Sequence, residues 1–591
     1  MSSFQGPQKQ NRAGRPDEYL LGAHRENFER RLAGWDKIQF SRRLHAGQSS
    51  LWVSGPAAEI TNRLGWLALP ESMRPRLNAL RAFGDEIRAE GCSHVVLLGM
   101  GGSSLAPELY QKTFGNAPGY PELIVLDSTH PAAVAAVESA VDLTRTLFVV
   151  SSKSGTTIEP LSFFRYFWAK VRSVEEKPGR HFVAISDPGT PLQTLARDMN
   201  FRRAFAALPD VGGRYSALTD FGLLPAALIG ADIRALLSRA RIAAENDDPS
   251  VPADRAPGLQ LGAALGELAL AGLDKLTIRT SPRLRSFPDW VEQLVAESTG
   301  KDGIGIVPVA DEPPFPATGY GQDRVFVVLT LEGDADNKLE KETLALEKCG
   351  RPLIRIHLED KAALGREIYR WEIATAAAAS VLGVHPFNQP DVEMAKELAR
   401  KAMAAGAKNG PDGAAGAGVK GRSFAVKAPF RAKTGAPDES VVIDAVEADC
   451  TAALRPALAD WLATARPRDY VALQAYLPPV GEIPSALQEI RRALLKKTGL
   501  ATTLGFGPRF LHSTGQLHKG GPDEALVLQI VDRPEDDIPV PETDYTFGGL
   551  IRAQAAGDFL ALKRRGRRVL QVDLGRDVPG GLRKLGKALG I

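Results

Sequence analysis

The stretch VVSSKSGTTIEPLSFF, Val149–Phe164, decides the fold. Two apolar β-formers run into a turn of hydroxyls, one lysine and a glycine. An acidic residue then leads into a hydrophobic segment of helical character. A buried strand that turns directly into a helix is the repeating half of a parallel α/β sheet. The same alternation continues on either side. HVVLLGM (94–100), ELIVLD (122–127), TLFVVSS (146–152) and HFVAISD (181–187) are near-continuous apolar runs, as suits strands covered on both faces. SLAPELYQKTF and IEPLSFFRYFWAKVRSV, which connect them, have helical length and period. This pattern predicts a doubly wound α/β sheet whose ligand sits beyond the carboxyl ends of the strands.

Outward from that sheet the chain divides further. Residues 1–60 read as a tail, disordered over 1–17, followed by helices that continue to about residue 90. The first α/β domain is expected over 61–235 and a second over 236–405. The second has a long helical stretch (232–275), strands KLTIRT, VFVVLTL (325–331) and PLIRIHL (352–358), and helices at 362–382 and 391–405. Residues 406–437, rich in Gly, Ala, Lys and Pro, read as a linker. A third α/β unit is expected over 438–591, with YVALQAYL (470–477) and ALVLQIV (525–531) as strands.

With 591 residues, 44% hydrophobic and 24% charged, the composition is that of an ordinary globular protein. A net charge of +3 gives no reason to expect nucleic acid or an anionic membrane as a partner. Three separated cysteines (Cys92, Cys349, Cys450) make neither a disulfide framework nor a zinc motif, and fit a reducing compartment. The polar N-terminus lacks the apolar core of a signal peptide, and no apolar run is long enough to span a bilayer. The expected location is therefore cytoplasmic.

The turn SSKSGTT follows a buried strand and opens a helix, where unsatisfied backbone N–H groups favour an anion. Ser152, Ser154, Thr156 and Thr157 can add hydrogen bonds beside Lys153, and Gly155 permits close backbone approach. There is no GxxxxGK[ST] pattern, so one phosphate on a small molecule fits better than a nucleoside triphosphate. A strongly capped helix is the plain alternative. Upstream, LLGMGGSSLAPELY places Gly99, Gly101 and Gly102 after a strand, with Ser103 and Ser104 opening a helix. A dinucleotide turn would require an acidic partner; Asp127 stands further on than that fingerprint asks. Two hydroxyl-rich turns after neighbouring strands favour a sugar phosphate.

In this order, GMGGSSLAPE, SSKSGTTIE, GGRYSALTDFGLLPAAL, VEQLVAESTGK and PFNQPDVEMAK resemble the motifs of glucose-6-phosphate isomerases. With WDKIQFSRRLHAGQSSLW and GPRFLHSTGQLHKGG, the chain looks most like the isomerase half of bacterial transaldolase/glucose-6-phosphate isomerase fusions, over roughly residues 30–591. The resemblance implies two sugar-isomerase (SIS) α/β sandwich domains with parallel sheets, plus the C-terminal α/β unit. It implies aldose–ketose isomerisation between D-glucose 6-phosphate and D-fructose 6-phosphate through a cis-enediol. No cofactor and no metal are required if side chains supply positive charge. The implied partners are the sugar phosphate and, by the fusion likeness, a transaldolase, with the chain itself a monomer or homodimer.

Residue by residue, the resemblance makes Glu297 the base. Its place between an apolar helical run and a glycine is expected to be partly buried, which raises a carboxylate's pKa. Arg214, always charged, stabilises the enediolate. Lys396 assists at the ring oxygen, and Gln389 lies in the phosphate region. Gly102, Ser103, Ser152, Lys153, Ser154, Thr156 and Thr157 hold the phosphate.

One element of the family pattern is displaced. The ring-opening histidine should follow the glutamate motif closely, yet FPATGYGQDRVFVVLTL (315–331) has none. FLHSTGQLHKGG, near the C-terminus, supplies His512 in the expected local context. LVAESTGK (294–301) can be laid against ALLKKTGL (493–500), and GYGQ (319–322) against HSTGQ (512–516), so the third unit reads as a partial SIS-like repeat. In dimeric members this histidine comes from the neighbouring subunit. The third unit is thus expected to act as a built-in neighbour and deliver His512 in cis. His385, His518 and His130 are its rivals. A broader isomerase that also accepts mannose 6-phosphate, discriminated around Thr299, and a non-catalytic sugar-phosphate-binding regulator are the alternative functions.

Overall fold

Fifteen strands, numbered along the chain, form three five-stranded sheets in a computed structural model that describes residues 17–55, 58–409, 442–444 and 450–591. Strand β1 (Glu18–Leu20) comes first. The next five are β2 (His94–Leu98), β3 (Glu122–Leu126), β4 (Thr146–Ser151), β5 (Phe182–Ser186) and β6 (Arg203–Ala206). They make a wholly parallel sheet in the order β3-β2-β4-β5-β6. Side chains alternate between two cores. Val95, Leu97, Val149 and Val183 enter one, while Val96, Leu98, Phe148 and Val150 enter the other. Burial on both faces is why these strands read as unbroken apolar runs.

The second sheet contains β7 (Lys275–Thr280), β8 (Val307–Val309), β9 (Arg324–Leu331) and β10 (Leu353–Leu358), in the order β1-β10-β9-β7-β8. Here β1 pairs antiparallel with β10, so the start of the described chain completes the second sheet. The third contains β11 (Val442–Asp444), β12 (Tyr470–Tyr476), β13 (Ala501–Phe506), β14 (Ala525–Val531) and β15 (Arg568–Asp573), in the parallel order β11-β15-β14-β12-β13. In each sheet one early strand lies between the two that follow it in the chain: β2 between β3 and β4, β7 between β8 and β9, and β12 between β13 and β14, with β1 and β11 added at the edges of the second and third sheets. That crossing point is where ligands of such sheets bind.

The sheets share cores. Val325, Val327 and Leu329 of β9 join the same cluster as Val95 and Leu97 of β2. Val307 and Val309 of β8 pack with Tyr470, Ala472, Ala525 and Val527 of the third sheet. Phe547, fully buried, stacks on Phe163 of the first unit with ring centroids 5.8 Å apart.

The structure adds strands that the sequence reading passed over: β1, β6, β8, β11, β13 and β15. They are short, lie at a sheet edge or mix polar with apolar residues, as in RAFA of β6 and RVLQVD of β15. The helical stretch expected over 232–275 is two helices, Ile233–Asn246 and Pro257–Leu270, split where DDPSVPADRAP introduces prolines. The Pro390–Asn409 helix runs into the segment read as a linker, of which residues 410–437 lie outside the described residues, as do residues 1–16 of the expected tail. Among the described residues no helix is long and apolar enough to cross a membrane.

Candidate active site

The turns after β2 and β4 face each other across the crossing point of the first sheet. After β2 the backbone enters a short turn, Gly101–Ser103, with Gly101 at φ +55°. A Cβ on Gly102 would lie 2.0 Å from the carbonyl oxygen of Gly213, so only glycine lets this turn pack beneath the residue preceding Arg214. After β4, Ser152 donates to Thr157 Oγ1 at 3.0 Å, and Ser154 and Thr156 hydroxyls are 3.0 Å apart. Gly155, at φ +67°, lies so close to Leu192 that a Cβ would be 2.9 Å from its amide nitrogen. Thr157 then opens the Ile158–Arg172 helix without capping it through its side chain. Ser103 and Ser152 are buried, whereas Ser154 and Thr156 are exposed. The loop therefore presents hydroxyls and helix N-terminal amides at a sheet crevice, the chemistry of a phosphate cradle. Lys153 differs from the expectation. Its ammonium lies 2.7 Å from Asp187 and donates to the Leu208 carbonyl at 3.1 Å, so its side chain ties the loop to the end of β5.

The second unit brings Glu297 up to Arg214 of the first. Glu297, 7% exposed, stands near the end of the Phe287–Thr299 helix. Its Oε1 is 3.4 Å from an Nη of Arg214, and its Oε2 accepts from Gln293 Nε2 at 3.2 Å. Arg214, 5% exposed, donates to Ser298 Oγ (2.9 Å), Gln389 Oε1 (2.8 Å) and the carbonyls of Pro386 (2.6 Å) and Asn388 (3.1 Å). Four acceptors fix the guanidinium plane, giving a rigid positive charge beside the carboxylate. Glu297, Arg214 and Gln389 thus lie together.

The third unit supplies the histidine. The short turn Arg509–His512 follows β13 and precedes the Gly515–Gly520 helix. His512 Nε2 lies 3.1 Å from Glu159 Oε1, and its carbonyl accepts from Gln293 Nε2 at 2.8 Å. A Cβ on Gly101 would meet that carbonyl at 2.8 Å, so all three units converge at this point. The histidine segment is held at several places. Arg509 pairs with Glu108 and, at 3.2 Å, with Asp127. Gln516 donates to the Gly300 carbonyl at 3.0 Å and accepts from the Asp391 amide at 2.9 Å. Lys519, fully buried, lies 2.5 Å from Asp558.

Glu159 is a site residue that the sequence reading missed. It is 4% exposed; burial pushes its pKa up, but His512, with a smaller contribution from Lys396, brings it below the ordinary value. An acid in the first turn of a helix is common for dipole reasons alone, and nothing local says that it faces a histidine. Lys396 makes no hydrogen bond within the cluster, although its charge reaches Glu159. Its ammonium is 2.8 Å from Glu393 on an exposed stretch of the Pro390–Asn409 helix. The rival histidines are engaged elsewhere. His385 uses Nε2 on the Ala58 carbonyl (2.8 Å) and Nδ1 on the Phe387 amide (3.1 Å). His518 is paired with Tyr470 at 2.9 Å and held neutral, its pKa pushed down to about 3 by burial beside Lys519. His130 caps a helix through Nδ1 and meets Asp532 through Nε2 at 2.9 Å. The Thr299 hydroxyl is fully buried, donating to the Val295 carbonyl and accepting from the Ile306 amide.

Comparisons with known proteins bear on this arrangement. A family model described as phosphoglucose isomerase matches residues 73–306. A glucose-6-phosphate isomerase of Staphylococcus saprophyticus is 30% identical over 388 residues, 56% of this chain and 85% of the relative. One from Symbiobacterium thermophilum is 31% identical over 395 residues, 58% and 87% of the two chains. Among solved structures, a hypothetical protein, TT0462, from Thermus thermophilus superposes with a TM-score of 0.58 at 26% identity, covering 66% of this chain and all of that one. A glucose-6-phosphate isomerase from Chlamydia trachomatis shares the fold, with a TM-score of 0.57 at 18% identity over 67% of this chain and 89% of its own.

Proposed function

The chain belongs to the glucose-6-phosphate isomerase family and is a sugar-phosphate isomerase; we propose that it interconverts D-glucose 6-phosphate and D-fructose 6-phosphate through a cis-enediol, with Glu297 as the base. The reading rests on one arrangement above all. Glu297 of the second unit lies 3.4 Å from Arg214, while Gln293 joins its other oxygen to the backbone of His512.

In this mechanism the phosphate lies against Gly102 and Ser103 and the Ser152–Thr157 loop. His512 gives a proton to the ring oxygen as the bond from C1 to that oxygen breaks, and the C1 hydroxyl releases its own proton to solvent as the carbonyl forms. Lys396 assists there, which requires its ammonium to leave exposed Glu393. Glu297 removes the proton from C2 and returns it at C1, while the fixed guanidinium of Arg214 offsets the negative charge of the enediolate. The chain carries its own His512 on the third unit, so the active form is taken to be a monomer. The committed hydroxyl of Thr299 gives no support to a specificity that extends to mannose 6-phosphate.

The test is a coupled assay, fructose 6-phosphate in and glucose 6-phosphate detected, on wild type, Glu297→Gln and His512→Ala. Glu297→Gln is expected to lose ~10²–10⁴-fold in kcat while still binding the sugar phosphate. His512→Ala is expected to fail at ring opening. Wild type that binds without turnover would make the chain a sensor and end the isomerase reading. Turnover of mannose 6-phosphate would broaden it.

A further inference from the structure

The carboxylate that faces His512 has a second buried partner, from the third unit. Gln554 lies on the Phe547–Arg564 helix and is 4% exposed. Its Nε2 donates to Glu159 Oε1 at 2.7 Å, the same oxygen that His512 Nε2 meets at 3.1 Å. Its Oε1 accepts from the hydroxyl of Thr129 at 2.8 Å, and Thr129 is fully buried at the end of β3. The opposite amide orientation would place two oxygens against each other beside a buried carboxylate, so this direction is forced by charge. One turn further on, Asp558 of the same helix holds Lys519, which follows His512 in the chain.

We infer that Gln554, oriented by Thr129, is a positioning residue for ring opening: it aims Glu159 at the His512 Nε2–H, so that the imidazolium gives its other proton, on Nδ1, to the ring oxygen. The inference rests on the isomerase reading above. The chemistry is direct. An ionised Glu159 only accepts, so the imidazole nitrogen facing it is the one that bears hydrogen. No hydrogen bond among the described residues occupies His512 Nδ1, which leaves that nitrogen to exchange a proton with the ring oxygen. A buried carboxylate deprived of the Gln554 donor takes up a proton more readily, and its hold on the imidazolium weakens with it. The effect belongs to ring opening and not to the transfer between C2 and C1, because Gln554 touches Glu159 and not Glu297.

The experiment compares wild type, Gln554→Met, which keeps the length without the donor, and Thr129→Val, which removes only the orienting hydroxyl. Ring opening is read on its own as exchange between the α and β anomers of glucose 6-phosphate by NMR, alongside isomerisation across pH. Gln554→Met is expected to slow anomer exchange about tenfold, the scale of a lost hydrogen bond to a charged group. Its acidic limb of kcat/KM is expected to move up by about half a pH unit, as Glu159 protonates earlier. Thr129→Val should move both readouts the same way by less. Wild-type anomer exchange and pH profile in Gln554→Met overturn the inference. So does a loss that is uniform across pH and accompanied by a lower Tm, since that is a merely structural role. Failure of wild type to isomerise while it exchanges anomers would strike the isomerase reading instead.

Discussion

Asp247 follows the Ile233–Asn246 helix and accepts the Gly258 amide at 2.8 Å, 2% exposed. Burial pushes its carboxyl up to about 7, against hydrogen bonds from the backbone and the charge of Arg370. The sign follows from proton linkage. The folded state keeps a proton that the unfolded chain releases, so this contribution is complete below the ordinary carboxyl range and is lost as pH rises through about 7. The slope from one such group is about 1.4 kcal/mol per pH unit inside that window. Asp247→Asn keeps an oxygen for the Gly258 amide and cannot ionise. Its urea midpoint should therefore change less between pH 5 and pH 8 than that of wild type. An identical pH dependence in the two proteins would show that Asp247 does not titrate in that window. At the same scale, Lys153 shows how a residue's chemistry can be legible and its partner not. The lysine was readable in the cradle motif, but Asp187, which occupies its ammonium, comes from the next strand.

Among elements, the joint between the second and third sheets decides where His512 stands. Glu312 and Arg324 are each fully or almost fully buried, with both carboxylate oxygens 3.0 Å from the guanidinium. Glu312 Oε1 also accepts from the amide and hydroxyl of Thr502 on β13, at 2.8 and 2.9 Å. From the other side, Arg491 donates to the carbonyls of Ala310 and Asp311 at 2.8 and 2.9 Å. Glu312→Ala leaves Arg324 as a buried charge without its counterion, at a cost of about 3–5 kcal/mol. Denaturant unfolding measures that loss, and activity should fall with it because β13 leads directly to the His512 turn. A loss within about 0.5 kcal/mol, the range of ordinary surface substitutions, would mean that this joint does not hold the sheets together. Strands β12 to β15 of the third sheet repeat the order of β2 to β5 and of β7 to β10, yet LPPVGE after β12 and DRPEDD after β14 lack the hydroxyl-rich turn of the first. Its crossing point is occupied by docking: Asp532, just after β14, meets His130 of the first unit.

For the whole molecule, one chain contributes the cradle, Glu297 with Arg214, and His512. Specific activity should therefore stay constant on dilution from micromolar to nanomolar protein, with light scattering giving the mass of a single chain. Activity that falls on dilution would mean a second chain completes the site. The sequence by itself determined the parallel α/β class, because strands buried on both faces must be unbroken apolar runs. It also determined the hydroxyl-rich turns after β2 and β4 and the Glu297, Arg214 and Gln389 motifs, because each is a short stretch whose turn or helix is locally encoded. Only the tertiary structure decided that Glu159 and Gln554 face His512, that His385 is engaged with Ala58, and that Lys396 stands outside the cluster beside Glu393. Those contacts join segments hundreds of residues apart or depend on which way a helix face turns, and the packing of three sheets fixes them rather than any local pattern of residues.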